Sequence, residues 1–100
     1  MKRKPVVWTE KASESLDFFC EYIRKDSPSA AKRVKQEIVR TARQLVDNPE
    51  MYQLDEVFAD TTLNIRRFFR WGSKLVYQVN EKEIVILDIF HTSTGFFEEE

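Results

Sequence analysis

The feature that most constrains this 100-residue chain is a change of hydrophobic period partway along it. Apolar residues first recur at Ala12, Leu16, Phe19, Cys20 and Ile23, with Glu10, Asp17, Glu21 and Arg24 between them. Spacings of three and four place such residues on one stripe of an α-helix. The pattern repeats at Ala31, Val34, Ile38, Ala42 and Leu45, while Lys32, Arg33, Lys35, Arg40 and Arg43 fill the remaining surface. Later the chain reads as strands: Leu63 to Phe69, Lys74 to Val79 and Ile84 to Phe90.

Capping and breaking residues set the boundaries. Pro5 to Trp8 is a short apolar run ahead of Thr9, whose hydroxyl can accept from the free amides of a helix start, so a first strand feeds the first helix. That helix should end near Lys25 or Asp26, because Ser27-Pro28 offers a new cap with proline at a position where its missing N–H costs nothing. So short a link forces the two helices antiparallel, with both apolar stripes facing one sheet. Asn48-Pro49 stops the second helix. Residues 48 to 62 form a long connection whose Met51, Tyr52, Leu54, Val57 and Phe58 imply a packed loop. Trp71-Gly72-Ser73 and Asn80 to Glu83 are hairpin-length breaks. The nearly continuous apolar run from Ile84 to Phe90 suits a strand inside the sheet more than one at its edge. If the helical hairpin returns the chain to the end where it began, the second strand opposes the first and the whole sheet is antiparallel. The expected fold is therefore α+β: a strand, a two-helix antiparallel hairpin, then a three-stranded antiparallel meander, all in one domain over residues 1–100.

Composition narrows the function classes. Forty-two per cent apolar and 13% aromatic residues can bury one core in a chain of this length. A formal charge of −1 hides an asymmetry: residues 1–46 carry eleven Lys/Arg against six Asp/Glu, and residues 47–100 carry five against eleven. Phosphate contacts supply most of a nucleic-acid binder's affinity, so any such role must use a local patch. The single cysteine, Cys20, excludes an intrachain disulfide framework and a cysteine-rich zinc site, and fits a reducing compartment. The basic start MKRKPVVW has too short an apolar run for a signal peptide, and no segment approaches a membrane span. A cytoplasmic protein without metal or cofactor is the expectation.

Few side chains offer chemistry. Arg66 and Arg67 alternate to opposite sheet faces, and with Arg70 and Lys74 they gather four cations within nine residues. Such a cluster can hold a phosphate backbone or stabilise charge on a phosphorane; the alternative is a solvated sheet face paired with acidic neighbours. His91, the one histidine, follows the last strand and has a pKa range suited to proton transfer near neutral pH, or else it is a hydrogen-bonded structural histidine. Ser73, His91 and Asp88 can be drawn as a triad, but no nucleophile-elbow glycines surround the serine. Cys20 on an apolar stripe reads as an inert thiol. Trp71 at a turn tip, and Phe96 and Phe97 near the acidic end of the chain, are candidate contact residues for a partner.

Six segments in order carry a resemblance: WTEKASESL (Trp8 to Leu16), SPSAAKRV (Ser27 to Val34), NPEMY (Asn48 to Tyr52), NIRRF (Asn64 to Phe68), KLVYQV (Lys74 to Val79) and IVILDIFHT (Ile84 to Thr92). Together they resemble the RelE/ParE toxin superfamily, over nearly the whole chain, and within it the ParE-like plasmid-stabilisation toxins. The resemblance implies the toxin of a type II toxin-antitoxin module, neutralised by a cognate antitoxin that wraps it, with no small-molecule substrate and no membrane partner. RelE-like members cut mRNA on the ribosome, whereas ParE-like members poison DNA gyrase. A nuclease would use Arg67, Lys74 and His91 at the scissile phosphate; whichever the activity, Arg66, Arg70, Trp71, Phe96 and Phe97 are the expected binding residues. Lys74 stands where the nuclease branch commonly has arginine, which loses the bidentate fork. Thr92-Ser93-Thr94-Gly95 replaces a basic segment, and no tyrosine follows to serve as a terminal catalytic group. The nuclease set is thus incomplete, and the expected activity is gyrase-directed; the alternatives are a ribosome-dependent RNase and a toxin fold kept only for antitoxin binding.

Overall fold

The computed structural model describes residues 3–56 and 61–91. Strand β1 (Val6–Trp8) leads into helix α1 (Glu10–Arg24), then helix α2 (Pro28–Gln44). After a connection ending in a 3-10 turn (Thr61–Leu63), the chain forms strands β2 (Ile65–Arg70), β3 (Ser73–Val79) and β4 (Ile84–His91). Both helix starts are capped by side chains: Ala12 N donates to Thr9 Oγ1 at 3.0 Å and Ala30 N to Ser27 Oγ at 3.2 Å. Pro28 occupies the first turn of α2. This helix stops at Gln44 with Leu45 as its C-cap, ahead of Asn48-Pro49.

The four strands form one sheet in the order β1-β4-β3-β2, which puts β4 inside it. β2, β3 and β4 make an antiparallel meander, but β1 lies parallel to β4, with Val6 opposite Ile84 and Trp8 opposite Ile86. The wholly antiparallel sheet expected from the helical hairpin is therefore corrected to a mixed one. The cause lies in the course of α1, which continues along the strand direction instead of turning back across the sheet. Thr9 Oγ1 donates to the carbonyls of Ile86 and Leu87, Ser15 Oγ donates to Asp88 at 2.7 Å, and the rings of Phe19 and Tyr22 reach His91. These contacts climb β4 with α1. Helix α2 then makes the whole return, ending beside the start of β1, where Arg3 pairs with Asp47. β2 consequently begins at the same end as β1 and runs the same way.

The core lies between the helices and one sheet face. Ala12, Leu16 and Phe19 from α1 and Ile38 and Ala42 from α2 pack with Leu45, Phe68, Leu75, Tyr77, Ile84, Ile86 and Ile89. Ile23 and Val34 pack against this cluster while staying partly exposed. In the connection, Tyr52 is buried and its ring stacks on Phe68 at 4.7 Å, whereas Met51 and Leu54 are exposed. Val57 and Phe58 lie outside the described residues. The β2–β3 hairpin turns on Trp71 (φ 53°) and Gly72 (φ 74°), the left-handed pair of a type I′ turn. Glycine adopts this conformation freely; for tryptophan it is strained, and the partly buried Trp71 ring packed against the core offsets that cost. Opposite Val76 and Tyr77, β4 carries a bulge that leaves Leu87 without a register partner on β3.

Candidate functional site

The cations of β2 and β3 divide between the two sheet faces. Arg66 pairs with Tyr77 and lies on the helix side, where its guanidinium donates to Tyr52 O at 2.7 Å and Asn64 Oδ1 at 2.9 Å, with Glu50 at 3.6 Å. Arg67 and Lys74 lie on the outer face around Phe69. Their charged ends sit 4.9 and 5.9 Å from the centre of its ring. Segment 53–56 covers this pair. Gln53 Oε1 accepts from Arg67 at 3.1 Å, Glu56 stands 3.9 Å from Arg67, and Lys74 Nζ is 3.0 Å from a carboxylate oxygen of Asp55, whose side chain is only 1% exposed. Two charges taken this far out of water are tolerable because each compensates the other.

His91 is placed elsewhere. It ends β4 opposite Ser73, and its ring packs 4.4 Å from Tyr22 and 5.4 Å from Phe19, on the helix side. Lys74 instead faces Phe90, one residue away, and successive strand residues point to opposite faces. The sheet thus stands between His91 and the Arg67/Lys74 pair. Arg70 and Ser73 share the row of His91; the Arg70 guanidinium lies 5.8 Å from the Trp71 ring, and its buried Nε has no hydrogen-bond partner among the described residues. Phe96 and Phe97 lie outside the described residues.

The remaining candidates are engaged in packing. Ser73 Oγ donates to Arg70 O at 2.8 Å, and Asp88 accepts from Ser15 with Lys11 at 3.4 Å, so neither is turned toward His91 as a triad requires. Burial pushes the Cys20 thiol above its ordinary pKa, against the opposing pull of Lys35, which keeps it protonated and unreactive. Burial likewise raises the Tyr77 hydroxyl far above its usual range, despite nearby Arg66, and that hydroxyl donates to Pro49 O at 2.8 Å. Among the described residues no three His, Cys, Asp or Glu side chains gather as a metal site would need.

Two features escaped sequence reasoning. Gln53 and Asp55 sit in an irregular segment, and no periodicity marks them as partners of Arg67 and Lys74. A basic recess between Arg3, Lys4, Arg40 and Arg43 joins the chain start to the end of α2. Its signal was present in the basic first half and in the cationic face of the second helix, but only the fold brings the two together.

This architecture and sequence match known toxins. Residues 6–96 match the family model of the ParE toxin of type II toxin-antitoxin system, parDE. A solved structure of the chromosomal ParDE TA system from P. aeruginosa aligns with a TM-score of 0.71 and 26% identity, over 89% of this chain and 96% of that one. No curated protein sequence matches the chain. With the family model spanning nearly the whole chain, the protein belongs to the ParE toxins of type II toxin-antitoxin systems.

Proposed function

We propose that this toxin acts on DNA gyrase in the cytoplasm and is neutralised by a cognate antitoxin, with no cofactor. The observation that carries the target is the separation of His91 from Arg67 and Lys74. RNA cleavage at one phosphate needs cations and a proton-transfer group within hydrogen-bond reach of the same reacting atoms. Here the cations hold Asp55 and Gln53 on the outer face, while the histidine packs on α1. A ParE toxin needs no such convergence, because a protein target is met by a surface.

Expression of the chain alone in bacteria should arrest growth and produce double-strand DNA breaks, and co-expression of the adjacent small open reading frame should restore growth. His91→Ala should leave toxicity nearly unchanged. Growth arrest with intact DNA and cleaved mRNA, lost in His91→Ala, would assign the chain to the ribosome-dependent branch. Normal growth at high levels of folded protein would leave only antitoxin binding.

A further inference from the structure

Along α2, Arg33, Gln36, Arg40 and Arg43 recur at spacings of three, four and three, which lays them on one stripe, and all are exposed. Lys32, exposed as well, borders it. The buried residues Ala31, Ile38 and Ala42 occupy the other side of the helix, so the stripe points away from the sheet. Arg40 pairs with Glu37, while Lys32, Arg33 and Arg43 make no ion pair among the described residues. Toward the helix end, Arg40 and Arg43 border the recess shared with Arg3 and Lys4, which prolongs the positive surface. Helix α1 is the reverse: Glu10, Glu14, Asp17 and Glu21 recur at spacings of four, three and four, all exposed, and Lys35 meets Asp17 at 3.5 Å. Among the described residues, no exposed large apolar side chain lies on α2.

We propose that the α2 stripe binds the phosphate backbone of duplex DNA without reading its sequence. At the rise of an α-helix, Lys32 to Arg43 spans about 16 Å. A B-form duplex carries roughly nine phosphates over that length. Guanidinium groups meet phosphate oxygens bidentately, and the Gln36 amide can donate between them. A protein partner would seat aromatic or aliphatic anchors, for which the stripe has no counterpart. Single strands gain by stacking on aromatic rings, and α2 carries none. A ligand held by charge along a line is what remains, and it explains how a chain of net charge −1 can meet a polyanion. The acidic stripe of α1 repels the same backbone and so fixes which side of the molecule approaches it. The choice of DNA over an RNA duplex rests on the gyrase reading, since a toxin seated on gyrase would touch the enzyme and its DNA together; the cationic stripe itself does not.

The test is a titration of the full chain against a short labelled DNA duplex of mixed sequence, read by fluorescence anisotropy at several salt concentrations and by amide chemical shifts. Binding should shift amides of α2 and leave those of α1 in place. Contacts by Lys32, Arg33, Arg40 and Arg43 should make log K fall with log salt at a slope of about −3 to −4. Arg33→Gln and Arg43→Gln should each reduce that slope by about 1. Lys82→Gln, on the exposed hairpin between β3 and β4, removes the same charge and should leave the slope unaltered. Absence of binding at low salt, an equal effect of Lys82→Gln, equal or tighter binding of an RNA duplex or of polyglutamate, or self-association of the two helical stripes in place of DNA binding would each overturn the proposal. Gyrase is absent from the titration, so failure here leaves the gyrase reading standing, and a supercoiling assay tests that reading separately.

Discussion

The two edges of the sheet are finished in different ways. Beyond β2 the chain closes its own edge: Asp55 N donates to Ile65 O at 2.8 Å and Arg67 N to Gln53 O at 3.1 Å, making an antiparallel bridge between Leu54 and Arg66. Lys74–Asp55 and the Arg66 bonds to Tyr52 and Glu50 fasten the same segment. Beyond β1 no described residue adds a strand, and the basic groove lies along that edge. Cations at the closed edge hold the fold together; cations at the open edge have few partners within it. Residue type alone therefore does not separate structural from recognition arginines, and the location of the acids does.

The largest difference should appear when charge is removed at the closed edge. Lys74→Ala leaves the Asp55 carboxylate buried without its cation and should cost about 3 to 5 kcal/mol in chemical denaturation, whereas replacing both residues with apolar ones of similar size should recover most of that loss. A loss below about 1 kcal/mol would mean that Asp55 reaches water. Ile38→Ala, in the core shared by both edges, should cost roughly 2 to 4 kcal/mol, since Ile38 is 1% exposed. A negligible loss would reject its burial.

Smaller effects sharpen the contrast. Tyr77→Phe removes the bond that ties Pro49 to the sheet and should cost about 1 kcal/mol at neutral pH. Because the folded-state pKa of Tyr77 is raised, this tyrosine's contribution is intact below the unfolded value, about 10, and declines as pH rises above it. Unfolding curves across the alkaline range should therefore converge for wild type and variant, and parallel curves would contradict the buried hydroxyl. Arg43→Glu at the open edge should change stability by no more than about 0.5 kcal/mol. A cost similar to that of Lys74→Ala would erase the distinction between the edges.

How much the residues disclosed follows from the range of the forces involved. Helices and their caps were legible because the signals are local: Thr9 and Ser27 accept from amides three residues on. The inside position of β4 followed from its apolar run. The parallel pairing of β1 was not legible, since it depends on whether α1 climbs or crosses the sheet. That course is fixed by Ser15–Asp88 and the Phe19 and Tyr22 contacts to His91, all distant in sequence. Alternation correctly split Arg66 from Arg67, but no pattern placed Asp55 beneath Lys74 or turned His91 toward the helices. Contacts of irregular segments have no period to reveal them.

The action proposed for this ParE-family chain is through a surface on gyrase, without a nuclease centre. Its most direct test is a side-by-side assay of purified wild type and His91→Ala on gyrase supercoiling and on mRNA bound to programmed ribosomes. The expected result is inhibition of gyrase, nearly equal for both proteins, and intact mRNA. Robust mRNA cutting that falls about a hundredfold in His91→Ala, with gyrase unaffected, would contradict it.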